Sequence, residues 1–140
     1  MRHGRRFVGI VLALAGFAWM NAAQAAELSG TAFYRERIAL PPSAVFVATL
    51  EDVSRADAPA EVLGRVEVAP AGQVPIAFAI PYDPARIDPR FTYAVRATIR
   101  VDGRLRFTTT TVHPVLTRGH GDRVELLLQR VAERAAAPLP

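Results

Sequence analysis

The chain has 140 residues, with 17 basic residues that are all arginine, 13 acidic residues, three histidines and no cysteine. Its formal charge of +4 includes Arg2, Arg5 and Arg6, and without those three it falls to +1; so balanced a chain has little long-range attraction for phosphate, which excludes nucleic acid as a partner. The lack of cysteine removes disulfides and thiolate chemistry, so stability has to come from packing and strand pairing.

Arg2, His3, Arg5 and Arg6 make a cationic start, residues 7–20 an apolar run broken only by small residues, and Ala23-Gln24-Ala25 an A-x-A cleavage pattern. Residues 1–25 therefore read as a cleaved signal peptide, helical in its apolar part, that sends the protein to the periplasm. Arg5-Arg6 ahead of Phe7-Val8 is compatible with either the general or the twin-arginine route. The apolar run is short of the roughly 20 residues a membrane-spanning helix needs, and nothing later reaches that length, so the mature chain is expected to be soluble, with no transmembrane segment.

From Leu28 onward apolar residues recur with period two, and Gly, Pro and Asp interrupt them every ten residues or so, which predicts an all-β fold, an antiparallel β-sandwich of about seven strands over residues 26–131. A first strand is expected over 28–35, a break at Pro41-Pro42, and a second strand over 44–52 with Phe46, Ala48 and Leu50 on one face. Strands three and four fall at 62–68 and 74–80 around Pro70-Ala71-Gly72, followed by a turn-rich loop over 81–89. A hairpin joins 93–101 to 105–112. A two-residue Asp102-Gly103 turn would split its apolar face, so a three-residue loop is expected, placing Ile99 beside Leu105 and Ala97 beside Phe107. A last strand spans 124–131, and residues 132–140 are an Ala/Pro-rich tail expected to be flexible.

That register sets Arg100 opposite Arg104 and Thr98 opposite Arg106, with Arg96 further along. Arg96, Arg100, Arg104 and Arg106 thus become a candidate face for contact with an anionic group, although a solvated outer face accounts for the same pattern. His113 and His120 have only Asp122 nearby, too few ligands for zinc. Gly119-His120-Gly121-Asp122 reads as a turn in which Asp122 caps the next element. No catalytic, cofactor or metal residues are assigned: the serines after the leader, Ser29, Ser43 and Ser54, lack a nucleophile context, and Glu51, Asp52, Asp57 and Asp83 read as turn or surface acids. Asp52 and Ser54 are expected to bond loop amides at the end of their strand.

Gly30-Thr31, the run from Arg35-Glu36-Arg37-Ile38 through Ala39-Leu40-Pro41-Pro42, Leu50-Glu51-Asp52-Val53-Ser54 with Ala56-Asp57-Ala58-Pro59, and further on Val74-Pro75-Ile76-Ala77-Phe78, Tyr82-Asp83 and Asp102-Gly103 resemble the YbaY-type lipoproteins and the related YscW group of type III secretion pilotins. The resemblance covers roughly residues 28–131 and implies a compact β-sandwich of the Gram-negative envelope, in which the pilotin branch helps secretins reach and assemble in the outer membrane. This sequence departs from the family in lacking the lipid-bearing cysteine. The resulting expectation is a non-enzymatic periplasmic domain that binds another envelope protein, offering it an exposed sheet edge or apolar face. The alternative is a module for a small ligand or polysaccharide, contacted by loop 81–89, Tyr82 and the arginine face.

Overall fold

The computed structural model describes residues 25–132, so nearly all of the expected leader and tail lie outside the described residues. Eight strands form in the order β1 Ala26–Phe33, β2 Ala44–Asp52, β3 Glu61–Val68, β4 Ile76–Tyr82, β5 Tyr93–Val101, β6 Arg104–Thr109, β7 Pro114–Val115 and β8 Arg123–Arg130, with one 3-10 turn at Pro84–Arg86. Neighbours run β3-β2-β5-β6-β8-β1-β4, and β7 pairs with β5 beside β6. The all-β expectation holds. The pairing is antiparallel except where β1 and β8, the first and last strands, lie side by side in parallel. With that pair the sheet rolls into a nearly closed barrel.

Period-two patterning fills the interior. On β2 every second residue, Ala44, Phe46, Ala48 and Leu50, is fully buried, and Val95, Ala97 and Ile99 answer from β5. Alanines facing large residues suit the tapered inside of a small barrel, and Phe46 tilts against Phe78 of β4 at 5.4 Å between ring centres.

Two glycines bring the wall together. Gly30 of β1 lies opposite Phe78, and a Cβ there would sit 2.4 Å from the Val124 carbonyl oxygen and 2.7 Å from the Phe78 ring. Only a residue without a side chain lets β8 and the Phe78 ring approach so closely. Gly64 acts likewise where β3 meets β4, the two ends of the strand order, with Ile80 Cγ2 and the Pro81 carbonyl each 2.7 Å from where its Cβ would be.

Local register departs from simple alternation twice. Between β2 and β3 the pairing steps from Leu50 with Gly64 to Glu51 with Val62, so Leu63 turns to the core and Val62 stands half in solvent. The 93–109 hairpin closes through a two-residue turn after all, with Asp102 at φ 50° and Gly103 at φ 77°, the left-handed pair that matches strand twist. Parity is restored by a bulge rather than by a longer loop: Arg100 pairs with Leu105, Arg106 is the extra residue, and Ile99 pairs with Phe107. The expected pairing of Arg100 with Arg104 and of Thr98 with Arg106 is therefore replaced by Val101 with Arg104 and Thr98 with Thr108.

The second hairpin strand also ends at Thr109, short of the expected residue 112. There the Thr109 hydroxyl accepts from the Ala97 amide, and the Val95 amide donates to the His113 carbonyl, so β5 is served on both sides of an excursion that leaves Val112 70% exposed. In the loop before β8, Leu116, Arg118 and Gly119 take positive φ whereas Gly121 does not, and Asp122 contributes its main-chain carbonyl, which accepts from Ser29 on β1.

Candidate functional site

The connection from β1 to β2 carries two adjacent prolines, which cannot donate to a ladder, so it crosses one end of the barrel as an irregular strap. Two side chains, Tyr34 and Gln73, hold it in place. Tyr34, nearly buried, stacks on Phe107 of β6 at 4.2 Å and 15°, and its hydroxyl donates to the Ile38 carbonyl at 2.7 Å. Burial, and after it the nearby Glu36 carboxylate, push the Tyr34 pKa up, which keeps the phenol a donor. Gln73, from the β3–β4 connection, donates its amide to the Leu40 carbonyl and accepts from the Leu40 amide, each at 2.9 Å. The Ala44 amide closes the strap onto the Pro41 carbonyl at 3.0 Å.

Between this strap and the barrel lies an open groove of about 180 Å³, walled by Ile38, Ala39, Leu40 and Pro41 on one side and by Val101 and Phe107 on the other. Its lining is almost wholly carbon. Arg106 and Arg130 stand at its rim, and Ile38 is 44% exposed although its neighbour Leu40 is buried. Such a slot can take an apolar side chain or two from another molecule and meet acidic groups at its edge.

The four arginines singled out in the sequence do not share one face. Arg96 and Arg100 point outward from β5, and Arg96 lies 3.3 Å from Glu51. Arg104 pairs with Val101, and Arg106, at the bulge, reaches the groove. Asp52 and Ser54 do the loop work expected of them: Asp52 Oδ1 accepts the Ser54 amide and hydroxyl, while Ser54 Oγ accepts the Thr92 amide. Asp83 accepts from the Ala85 amide and starts the 3-10 turn. The ring Nε2 of His113 lies 3.3 Å from Thr111 Oγ1, and His120 is exposed. Among the described residues no three metal-ligating side chains gather.

Sequence reasoning passed over the groove. The available signal was Ile38 and Leu40 alternating just ahead of Pro41-Pro42, an apolar pair with no strand to join; that Phe107 and Val101 lie beneath it depends on the bulge, which the pattern does not announce.

Comparison with known proteins identifies the family and the fold. The family model described as "Type III secretion system lipoprotein chaperone (YscW)" matches residues 23–128. The "Uncharacterized lipoprotein YbaY" of Escherichia coli (strain K12) is 40% identical over 115 residues, covering 81% of this chain, and the chain spans 60% of that relative's length. In three dimensions the fold superposes with a TM-score of 0.75 and 40% identity on an alternative pilotin from the type II secretion system of Vibrio cholerae, covering 78% of this chain and 99% of that one. By the extent of the family match and the identity to these relatives, the chain belongs to the YscW family of lipoprotein chaperones.

Proposed function

We propose that this protein is an exported, non-enzymatic helper of the cell envelope that holds an apolar segment of another envelope protein in the groove beneath the proline strap. The observation that carries this reading is that the groove is formed in advance. Tyr34 and Gln73 fix the Ile38 and Leu40 main chain, yet Ile38 is left projecting into solvent. A slot whose walls are already ordered loses little entropy when it is filled. Residues 38–41, within the stretch that carries the family resemblance, form one wall of it.

The pilotin to which the fold is similar belongs to a secretion system, and a secretin-like outer-membrane protein is the partner class we favour. We take residues 1–25 as the leader that supplies export to the periplasm. Arg106 and Arg130 at the rim steer an acidic flank of the bound segment toward the groove.

Co-purification of the tagged protein from envelope extracts, wild type against Ile38→Asp, tests the reading. A secretin-like protein should be recovered with the wild type and lost with the variant, whose thermal midpoint stays within a few degrees because the side chain is half exposed. Equal recovery by both would refute it.

A further inference from the structure

The end of the β2–β5 ladder opposite the groove carries a second cleft. Ala44 pairs with Val101 at the groove end and Asp52 with Tyr93 at the other, so the two sites are separated by the length of nine-residue strands, roughly 26 Å. The cleft, about 580 Å³, gathers Arg55, Arg90, Phe91 and Arg118 from three loops, together with Asp52 and Glu61.

The charges in it are not equivalent. Arg90 is engaged by the Asp88 carboxylate through Nε and Nη2, at distances from 2.8 to 3.3 Å, and Glu61 is engaged by Arg86 at 2.6 Å. Asp52 is occupied through Oδ1 by Ser54. Arg118 differs from all of these. Its Nε donates to the Thr92 hydroxyl at 3.1 Å and its Nη2 to the Arg90 carbonyl at 3.0 Å, so two neutral acceptors position the guanidinium and leave its charge uncompensated, with Nη1 still available. The backbone at Arg118 is itself in the left-handed region, φ 55°, which a long side chain occupies only when the surroundings impose it. Thr117 secures that loop by donating to the Phe91 carbonyl at 2.7 Å. Phe91, 40% exposed, presents its ring beside these cations.

We infer that this cleft binds a small oxyanion, phosphate or carboxylate, carried on a ring or apolar body: Arg118 and Arg55 take the anionic group, and the Phe91 ring packs against the body. A guanidinium fixed in advance by neutral partners suits an anion better than one already paired, and Asp52, the remaining carboxylate of the cleft, selects against ligands that place a second negative charge at its side.

Titration of the domain with phenyl phosphate, benzoate and inorganic phosphate, followed by amide chemical shifts, tests this. The expected result is saturable shifts of the Arg118 and Thr92 amides with phenyl phosphate or benzoate, the better of the two naming the anionic group. Inorganic phosphate should bind several-fold more weakly, Arg118→Gln should weaken the better ligand about tenfold, and Phe91→Ala should remove the advantage of the ring while Arg96→Gln changes nothing. Non-saturable shifts, or an equal loss from Arg96→Gln, would overturn the assignment. Thermal midpoints of the three variants confirm that the fold is intact.

Discussion

Gln73 pairs with the main chain of Leu40 through both ends of its side-chain amide, 2.9 Å in each direction, and so gives the proline strap what a neighbouring strand would give. Gln73→Ala leaves the Leu40 amide and carbonyl, both part-buried, without these partners. It should cost about 1–3 kcal/mol of unfolding free energy and loosen the groove. Gln73→Glu keeps the acceptor but sets a carboxylate against the Leu40 carbonyl, so it should not restore stability. Chemical denaturation of the two variants checks both statements.

Gly30→Ala should be among the most damaging single-methyl changes in the barrel, because the added carbon meets the Val124 main chain as well as the Phe78 ring. We expect a loss of roughly 1–3 kcal/mol or more. Gly121→Ala, with nothing within 4 Å and no positive φ, should be near neutral. Thermal unfolding of the pair separates close approach from the general effect of replacing glycine.

Stability should fall in two steps on acidification. Burial holds the His113 pKa below its ordinary 6.5, so the folded state binds fewer protons than the unfolded one; this contribution is present above pH 6.5 and lost as pH falls through the lowered folded value. The hydrogen bonds and charge of Arg90 hold the Asp88 carboxyl down, from 3.8 to about 2, a contribution present above about pH 4 and lost on the way to about pH 2. His113→Gln should remove the first step and Asp88→Asn the second, read from thermal midpoints across pH.

Much of the barrel was legible in the sequence because burial on one face enforces strict alternation. Residues 44–52 and 93–101 coincide with β2 and β5, where every second side chain is interior. The pattern failed where the chain gains or skips a residue. At Arg106 a bulge restores the parity that a two-residue turn would break, and after Thr109 a hydroxyl replaces a ladder carbonyl. Alternation cannot distinguish a bulge from a longer loop, and the arginine face inferred from the wrong register dissolved with it. The groove and the arginine cleft were hidden for another reason. Tyr34 with Phe107, Gln73 with Leu40, and Arg118 with Thr92 are far apart in the chain, and only the folded sheet brings them together.

The groove as the partner-binding surface is tested most directly by placing a photo-crosslinking amino acid at Ile38 of the exported protein in living cells, with Val112, 70% exposed at the excursion after β6, as the comparison position. One discrete adduct with an envelope protein is expected from position 38, diminished when Gln73→Ala is added, and none from position 112. The same adducts from both positions, or none from position 38, would contradict it.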